Sequence, residues 1–396
     1  MQERIRIAFF ADVLQRHFDG VSNTIHQLAD HMPDHIEPIF FVALPPRDQD
    51  NFQFPVYQLP YFSLPFYKEY RVGLPQRMPD LPKILAAFNP HLVHFTSPSL
   101  MGRYAIQYAG KHQLPLTCIY HTHFQSYMEY YFGIFPPLEW SMSKLAWRLS
   151  RWFYTQPDRT FVPSEPMKRY LLALGLNEGQ IAYFKRGINT AQFGPQFRDD
   201  GIRKKWGLDN HKIVLFVSRL VEEKEMKTLK RLYDLLDTER DDVRLMVTGD
   251  GPARPGLEKH MKNAVFTGKQ TKAELAAIYA TSDVFVFPSI TETFGNVVLE
   301  ALASGLPAVV AAAGGPQGIV ESAQGGYAVE PKNARAFADK VHSILDDPDL
   351  RQQLSSHGIA YAKKQDWNSI CREYFDEVTA LATKRSSQDK SESPSQ

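Results

Sequence analysis

At 396 residues the chain is longer than one hydrophobic core ordinarily serves, and its length implies two domains of about 200 residues each. Lys and Arg number 45 against 44 Asp and Glu, a net charge of +1, so the basic excess that a nucleic-acid binder needs is missing. The two cysteines, Cys118 and Cys371, stand in runs that read as a buried strand and a buried helix, and no CxxC or other metal spacing exists; reduced thiols in a cytoplasm are expected rather than a disulfide.

Ile5–Ala11 reads as a first buried strand. The residues before it have no signal-peptide form and no run reaches membrane-spanning length, so the expectation is a cytoplasmic protein, soluble or peripheral on the inner face of the membrane. A polar loop, Asp12–Asn23, follows and contains Asp19-Gly20; helical spacing then covers Val21–Met32. Gly20 thus lies where the first strand hands over to the first helix. A glycine there lets a phosphate reach a helix N-terminus, although a turn glycine is the commoner explanation.

Strand-like runs at Ile36–Leu44, His91–Phe95, Leu116–Tyr120, Thr160–Val162 and Ile181–Phe184 alternate with helix-like Leu81–Phe88, Met101–Lys111, Leu138–Phe153 and Glu165–Leu174. This is the pattern of a parallel sheet covered by helices. Asp48 and Asp50 form an Asp-x-Asp that reads as a solvated turn. His121 and His123 end the Leu116–Tyr120 strand and share a face if the chain is still extended. His121 is a candidate to donate to a sugar hydroxyl or orient an acceptor, against the plain alternative of a satisfied core histidine. Two aromatic stretches, Tyr57–Tyr67 and Tyr127–Phe135, are candidates to line an acceptor site. Lys144, Arg148 and Arg151 recur at helical spacing beside Trp140, Trp147 and Trp152, which suits an anionic membrane surface; ordinary core packing with a solvated edge is the plainer reading.

Periodicity lapses from Phe193 to Gly201, the expected linker. Beyond it Ile213–Ser218, Arg244–Thr248, Ala264–Thr267, Val284–Phe287, Ala308–Ala311 and Tyr327–Val329 read as a second set of strands. The end is helical over Ala334–Leu345, Asp349–Lys364 and Trp367–Thr383. The expected organisation is a domain over 1–195, a second over 196–365, a helix over 366–384 and a disordered polar tail over 385–396.

The chemistry concentrates in Thr291–Glu300, a strand–loop–helix joint of the kind that binds ligands in open α/β sheets. Gly295 lets the backbone approach a ligand, a helix starting at Gly295 or Asn296 offers N–H groups to an anion, and Ser289, Thr291 and Thr293 add hydroxyls. Glu292 and Glu300 flank that site, about 12 Å apart if helical throughout. A nucleotide-sugar, with a diphosphate between two polyols, would use both; alternatively Glu292 favours the helix dipole and Glu300 is solvated. Arg219 and Lys224 close another strand and are suited to hold and neutralise a diphosphate, unless Lys224 is a surface lysine paired with Glu222 or Glu223. Gly249 and Gly251 are explained by turn formation. The exit Val265-Phe-Thr-Gly-Lys269 brings a backbone, and Lys269, toward a nucleotide base.

Taken together, Ser218-Arg-Leu with Glu223-Lys224, Gly249-Asp-Gly-Pro252, Glu292-x7-Glu300, Ala303-Ser-Gly-Leu-Pro307 and Gly314-Gly-Pro316, with His121-Thr122 and Asp19-Gly20-Val21 before them, resemble the retaining glycosyltransferases of the family 4 type. The stretch Phe294–Gln317 is most similar to members that glycosylate lipids, such as sulfoquinovosyl- and mannosyl-transferases. The resemblance implies the α/β GT-B fold: two Rossmann-like doubly wound domains facing a cleft, with the helix from Trp367 crossing back to the first. It implies that Arg219 and Lys224 bind the donor diphosphate, Glu300 the ribose and Glu292 the transferred sugar. Backbone amides from Phe294, Gly295, Asn296 and Val297, with Gly20, would assist at the phosphates, and His121 would lie beside the sugar. No metal and no cofactor are implied; a UDP- or GDP-sugar is the donor and a lipid or glycan the acceptor. A nucleotide-sugar epimerase and a non-catalytic nucleotide-sugar-binding protein are the competing functions.

Overall fold

The computed structural model describes residues 4–16, 18–64, 67–120 and 136–392, by backbone alone at 64, 67–70, 136–143 and 385–392. Its contacts divide the chain into two units. The first comprises Met1–Pro163, Lys168–Lys185 and Trp367–Gln396, the second Ser164–Met167 and Arg186–Asp366.

The first unit is built on β1 (Ile5–Val13), β2 (Ile36–Leu44), β3 (Val56–Gln58), β6 (Leu92–Phe95), β7 (Leu116–Ile119), β8 (Arg159–Val162) and β9 (Ile181–Tyr183). They form one parallel sheet in the order β3-β2-β1-β6-β7-β8-β9. β1 and β2 are buried almost throughout because helices cover both faces of such a sheet, which is why their sequences are continuous apolar runs. In register, Phe9 stacks on Phe40 at 4.8 Å and Phe10 on Phe41 at 5.0 Å between ring centres. Beside the sheet, β4 (Tyr61–Leu64) and β5 (Tyr67–Gly73) pair as an antiparallel hairpin. Neither the hairpin nor β3 is legible in the sequence, because Pro55, Pro60 and Pro65 interrupt the alternation that marks a strand.

Asp12, expected in a polar loop, is the penultimate residue of β1 and 3% exposed. Asp50 is likewise not solvated: it is 4% exposed, and its carboxylate accepts from the amides of Arg47 at 3.0 Å and Arg16 at 3.1 Å, which closes the turn. The Asp-x-Asp is therefore a structural clasp.

The last helix, Trp367–Glu392, returns the chain to this unit. Ile370, Cys371, Tyr374, Phe375, Val378 and Ala382 form its apolar face and enter the core around β1, β6 and β8. Tyr374 reaches Nδ1 of the fully buried His94 at 3.0 Å, and Arg159 of β8 pairs with Glu377. Burial holds His94 neutral, its pKa drawn down to about 3. The helix runs beyond the Thr383 end expected from sequence: residues 384–392 are polar, but no Gly or Pro occurs before Pro394. Cys118 and Cys371 are both buried free thiols, and burial pushes Cys118 up to about 12.

The second unit carries β10 (Lys212–Val217), β11 (Val243–Thr248), β12 (Val265–Gly268), β13 (Val284–Phe287), β14 (Ala308–Ala311) and β15 (Gly326–Val329), parallel in the order β12-β11-β10-β13-β14-β15. The stretch read as a linker lies inside it: Phe193 is 6% exposed and packs edge-on against Tyr279 at 6.0 Å. One aromatic ring thus converts turn-rich chain into part of a core. Among the described residues no helix is long and apolar enough to cross a membrane.

Candidate active site

In an open parallel sheet the ligand crevice lies beyond the carboxyl ends of the strands where the strand order reverses. In the second unit that point falls between β10 and β13. β10 delivers Ser218-Arg219-Leu220 and a short turn, Glu222–Lys224, which ends because Glu225 turns left-handed (φ 61°) ahead of the Met226–Glu239 helix. β13 delivers residues 288–295 and then the Asn296–Ala303 helix.

These two loops meet in one ion pair. Lys224 Nζ donates to Glu292 Oε1 at 2.6 Å, with the lysine side chain 7% exposed and the glutamate 27%. Lys224 is therefore neither a surface residue nor paired with Glu222 or Glu223. Arg219 keeps 72% of its side chain exposed while touching Glu223 Oε1 at 3.3 Å, so its guanidinium can swing to a ligand at little cost.

The loops are locked by close backbone approaches. A Cβ on Gly249, which has φ +127°, would lie 1.9 Å from the Ser218 carbonyl oxygen, and one on Gly314 would lie 2.2 Å from the Glu292 carbonyl oxygen. The amide of Gly315 donates to that same oxygen at 2.9 Å. Turn formation alone does not account for Gly249: a side chain there would push apart the loops after β10 and β11. Gly314 acts on the site by fixing the backbone of Glu292, a role that its place in the sequence does not disclose.

The Asn296–Ala303 helix begins on Gly295 (φ 96°) with no side-chain cap, so no capping oxygen occupies its first amides. Helical geometry does not extend back to Glu292, and the 12 Å spacing drawn from an unbroken helix does not apply. Phe294 is buried and anchors the loop, Thr293 offers its carbonyl to Ser164 Oγ at 3.4 Å, Asn296 is exposed and Val297 packs on the core.

Glu300, in the second helical turn, is half-buried rather than freely solvated. Tyr279 donates its hydroxyl to Glu300 Oε2 at 3.1 Å, and burial pushes the carboxyl up to about 7 against that hydrogen bond. Tyr279 is a neighbour of Glu300 that sequence reasoning missed, its helix position suggesting core and nothing more. Lys269 is exposed at the end of β12, two strands from β10, about 10 Å away at ordinary strand spacing. The sheet order separates it from the Lys224–Glu292 pair.

Gly20 belongs to the first unit, where it opens the Gly20–Asp30 helix after β1; Asp19 caps that helix, accepting from the Ser22 amide at 2.7 Å. The strand order of the first unit also reverses here, between β1 and β6. His121, and with it His123 and Tyr127–Phe135, lies outside the described residues.

Two doubly wound parallel units, the second presenting cations and a bare helix start at its switch point, define a GT-B glycosyltransferase. Residues 18–192 match the model of Glycosyltransferase Family 4 and residues 199–361 that of Glycosyl transferases group 1. The chain is 30% identical over 390 residues to a GDP-mannose-dependent alpha-mannosyltransferase of Mycolicibacterium smegmatis, covering 96% of this chain and 99% of that one. It is 33% identical over 329 residues to a sulfoquinovosyl transferase of Arabidopsis thaliana, covering 81% of this chain and 62% of the relative. Among solved structures, sucrose-phosphate synthase from Thermosynechococcus elongatus superposes with a TM-score of 0.72 at 20% identity over 96% of this chain and 99% of that one. The chain belongs to the group 1, family 4 type of nucleotide-sugar-dependent glycosyltransferases.

Proposed function

We propose that the enzyme moves a hexosyl group, with retention and without a metal, from a nucleoside-diphosphate sugar to a lipid. The observation that carries this reading is the Lys224–Glu292 pair at the β10/β13 switch point. A diphosphate entering there takes Lys224 and draws in the exposed Arg219, while the amides at Asn296 and Val297 meet its oxygens. Two cations and a helix terminus then neutralise the charge that develops on the leaving phosphate, the task a metal performs elsewhere. Released from Lys224, Glu292 accepts from hydroxyls of the transferred sugar, and Glu300 accepts from the ribose.

With no carboxylate assigned as a nucleophile at the anomeric carbon, the step is a front-face displacement. The acceptor oxygen forms its bond to the anomeric carbon on the face from which the phosphate departs, and the acceptor proton passes to the leaving phosphate oxygen. The likeness to a GDP-mannose-dependent enzyme over nearly its whole length makes GDP-mannose the donor to test before UDP-sugars.

A lipid acceptor is supported by the Pro136–Tyr154 helix. Leu145, Leu149 and Trp152 are 49%, 50% and 41% exposed at i, i+4, i+7 spacing, and the exposed Lys144, Arg148 and Arg151 follow the same spacing one residue before them. An apolar stripe beside a basic one fits the surface of an anionic membrane and a peripheral location.

The test is transfer of labelled mannose from GDP-mannose into a lipid extract, with EDTA present, followed by assignment of the product anomer. An α-mannolipid formed equally well with EDTA supports the proposal; a β-linked product, or dependence on added magnesium, contradicts it. For the surface, sedimentation with phosphatidylglycerol vesicles should be lost in Lys144→Glu/Arg148→Glu. Binding indifferent to that change would remove the membrane assignment.

A further inference from the structure

We propose that Tyr279 is a positioning residue for the donor: its buried hydroxyl holds one oxygen of Glu300 so that the opposite edge of the carboxylate meets the ribose, making ribose recognition depend on Tyr279. The proposal rests on the reading of Glu300 as the ribose acceptor.

Tyr279 has no exposed surface, and its ring is fixed between Phe193 at 6.0 Å and Phe285 at 5.9 Å. A phenol so wedged delivers its O–H along one direction only, here to Glu300 Oε2 at 3.1 Å. Burial first, and the charge of Glu300 second, raise the Tyr279 hydroxyl well above its ordinary value, so it remains a donor at every working pH. A carboxylate has about four acceptor positions, and Tyr279 takes one on Oε2. The rotamer freedom that a glutamate otherwise loses on binding polyol hydroxyls is already removed.

The same contact sets the charge. Burial raises Glu300, whereas the Tyr279 hydrogen bond and the more distant Lys272, at the start of the Tyr279 helix, lower it, leaving a value of about 7. The ionised form is the better acceptor for ribose hydroxyls, so donor affinity is complete above pH 7 and falls as the pH drops through it. Without the phenol hydrogen bond Glu300 rises further, which thins the ionised form most near pH 7 and hardly at all at pH 9.

The experiment titrates the purified full chain with GDP, UDP and their 2′-deoxy analogues calorimetrically from pH 6 to 9, as wild type, Tyr279→Phe and Glu300→Gln. Phenylalanine keeps the ring contacts, and thermal midpoints check that the fold is retained. The expected result is about a fivefold loss of ribonucleotide affinity in Tyr279→Phe at pH 7, the ordinary worth of one hydrogen bond, recovered at pH 9, with a smaller loss for the deoxy analogue. Glu300→Gln should lose both the ribose preference and the pH dependence. A lowered midpoint in Tyr279→Phe with unchanged ribose preference and pH profile would reduce Tyr279 to core packing and overturn the proposal. Unchanged ribonucleotide affinity in Glu300→Gln, or no nucleotide binding by the wild type, would overturn the underlying assignment instead.

Discussion

Replacing Glu292 with Gln should move nucleotide affinity and catalysis in opposite directions. Lys224 is 7% exposed and already satisfied by Glu292 at 2.6 Å, so an entering diphosphate meets a neutral pair rather than a cation. Removing the carboxylate takes one negative charge from about 5 Å beside the phosphate, worth about 3 kcal/mol at the effective dielectric of a partly buried site and about 1 in water. Glu292 is 27% exposed, which places the gain at about 1–2 kcal/mol, or about 5- to 30-fold tighter GDP binding. Turnover should fall about 100-fold or more, because the sugar loses a charged hydrogen-bond acceptor in the transition state. Stability should fall as well: stripping a partner from a fully buried pair costs about 3–5 kcal/mol, but glutamine still accepts from Lys224 and the site is partly open, so about 1–2 kcal/mol is expected. Calorimetric titration with GDP, alongside kcat with the donor sugar, reads both effects. Weaker GDP binding together with lower turnover would show that the pair only holds the loops together and does not receive the phosphate.

Two further substitutions test the packing around the sites. Gly249→Ala drives a methyl group into the Ser218 carbonyl at a backbone angle alanine resists, and should cost about 3 kcal/mol or more, whereas Gly256→Ala, in the Arg254–His260 helix with nothing within 4 Å, should stabilise by about 0.4–1 kcal/mol; equal midpoints for the two variants would contradict the interlocking of the loops. Asp12 is raised to about 6 by burial, against hydrogen bonds to Ser99 and the Gly73 backbone. Its native state therefore keeps a proton that the unfolded chain releases near 3.8, and the stability it contributes is complete below pH 3.8 and lost as the pH rises through 6. The 2.2-unit difference corresponds to at most about 3 kcal/mol. Asp12→Asn should flatten the pH dependence of urea unfolding over that window and be the more stable protein at pH 8; parallel profiles would refute it.

Both sheets were legible because strands covered on two faces are written as unbroken apolar runs, as in Val284–Phe287 and Ile36–Leu44. The Glu292 loop was legible too, since a strand, a glycine and a helix start stand next to one another. What escaped depends on partners distant in the chain. Lys224 sits among acidic neighbours in sequence, yet its carboxylate is 68 residues away; Tyr279 finds Glu300 only because the helices before and after β13 pack together. The place of Lys269 escaped for the converse reason: strands follow one another in sequence, but the order β12-β11-β10 carries it to the sheet edge, two strands from the diphosphate site. Asp50 and Asp12 look solvated as letters and are buried because backbone amides and turns close over them.

Diphosphate binding at the β10/β13 switch point is assigned to Arg219 and Lys224 by themselves, without a metal. Thermal unfolding with GDP and UDP in EDTA, comparing wild type with Arg219→Ala/Lys224→Ala, tests it most directly. Nucleotide at 100 times its Kd stabilises by about 2.7 kcal/mol, which raises the midpoint of a unit this size by about 5–10 °C. That rise should appear in the wild type despite EDTA and be absent from the double variant; a rise that requires magnesium, or one that survives loss of both cations, would contradict binding by these cations alone.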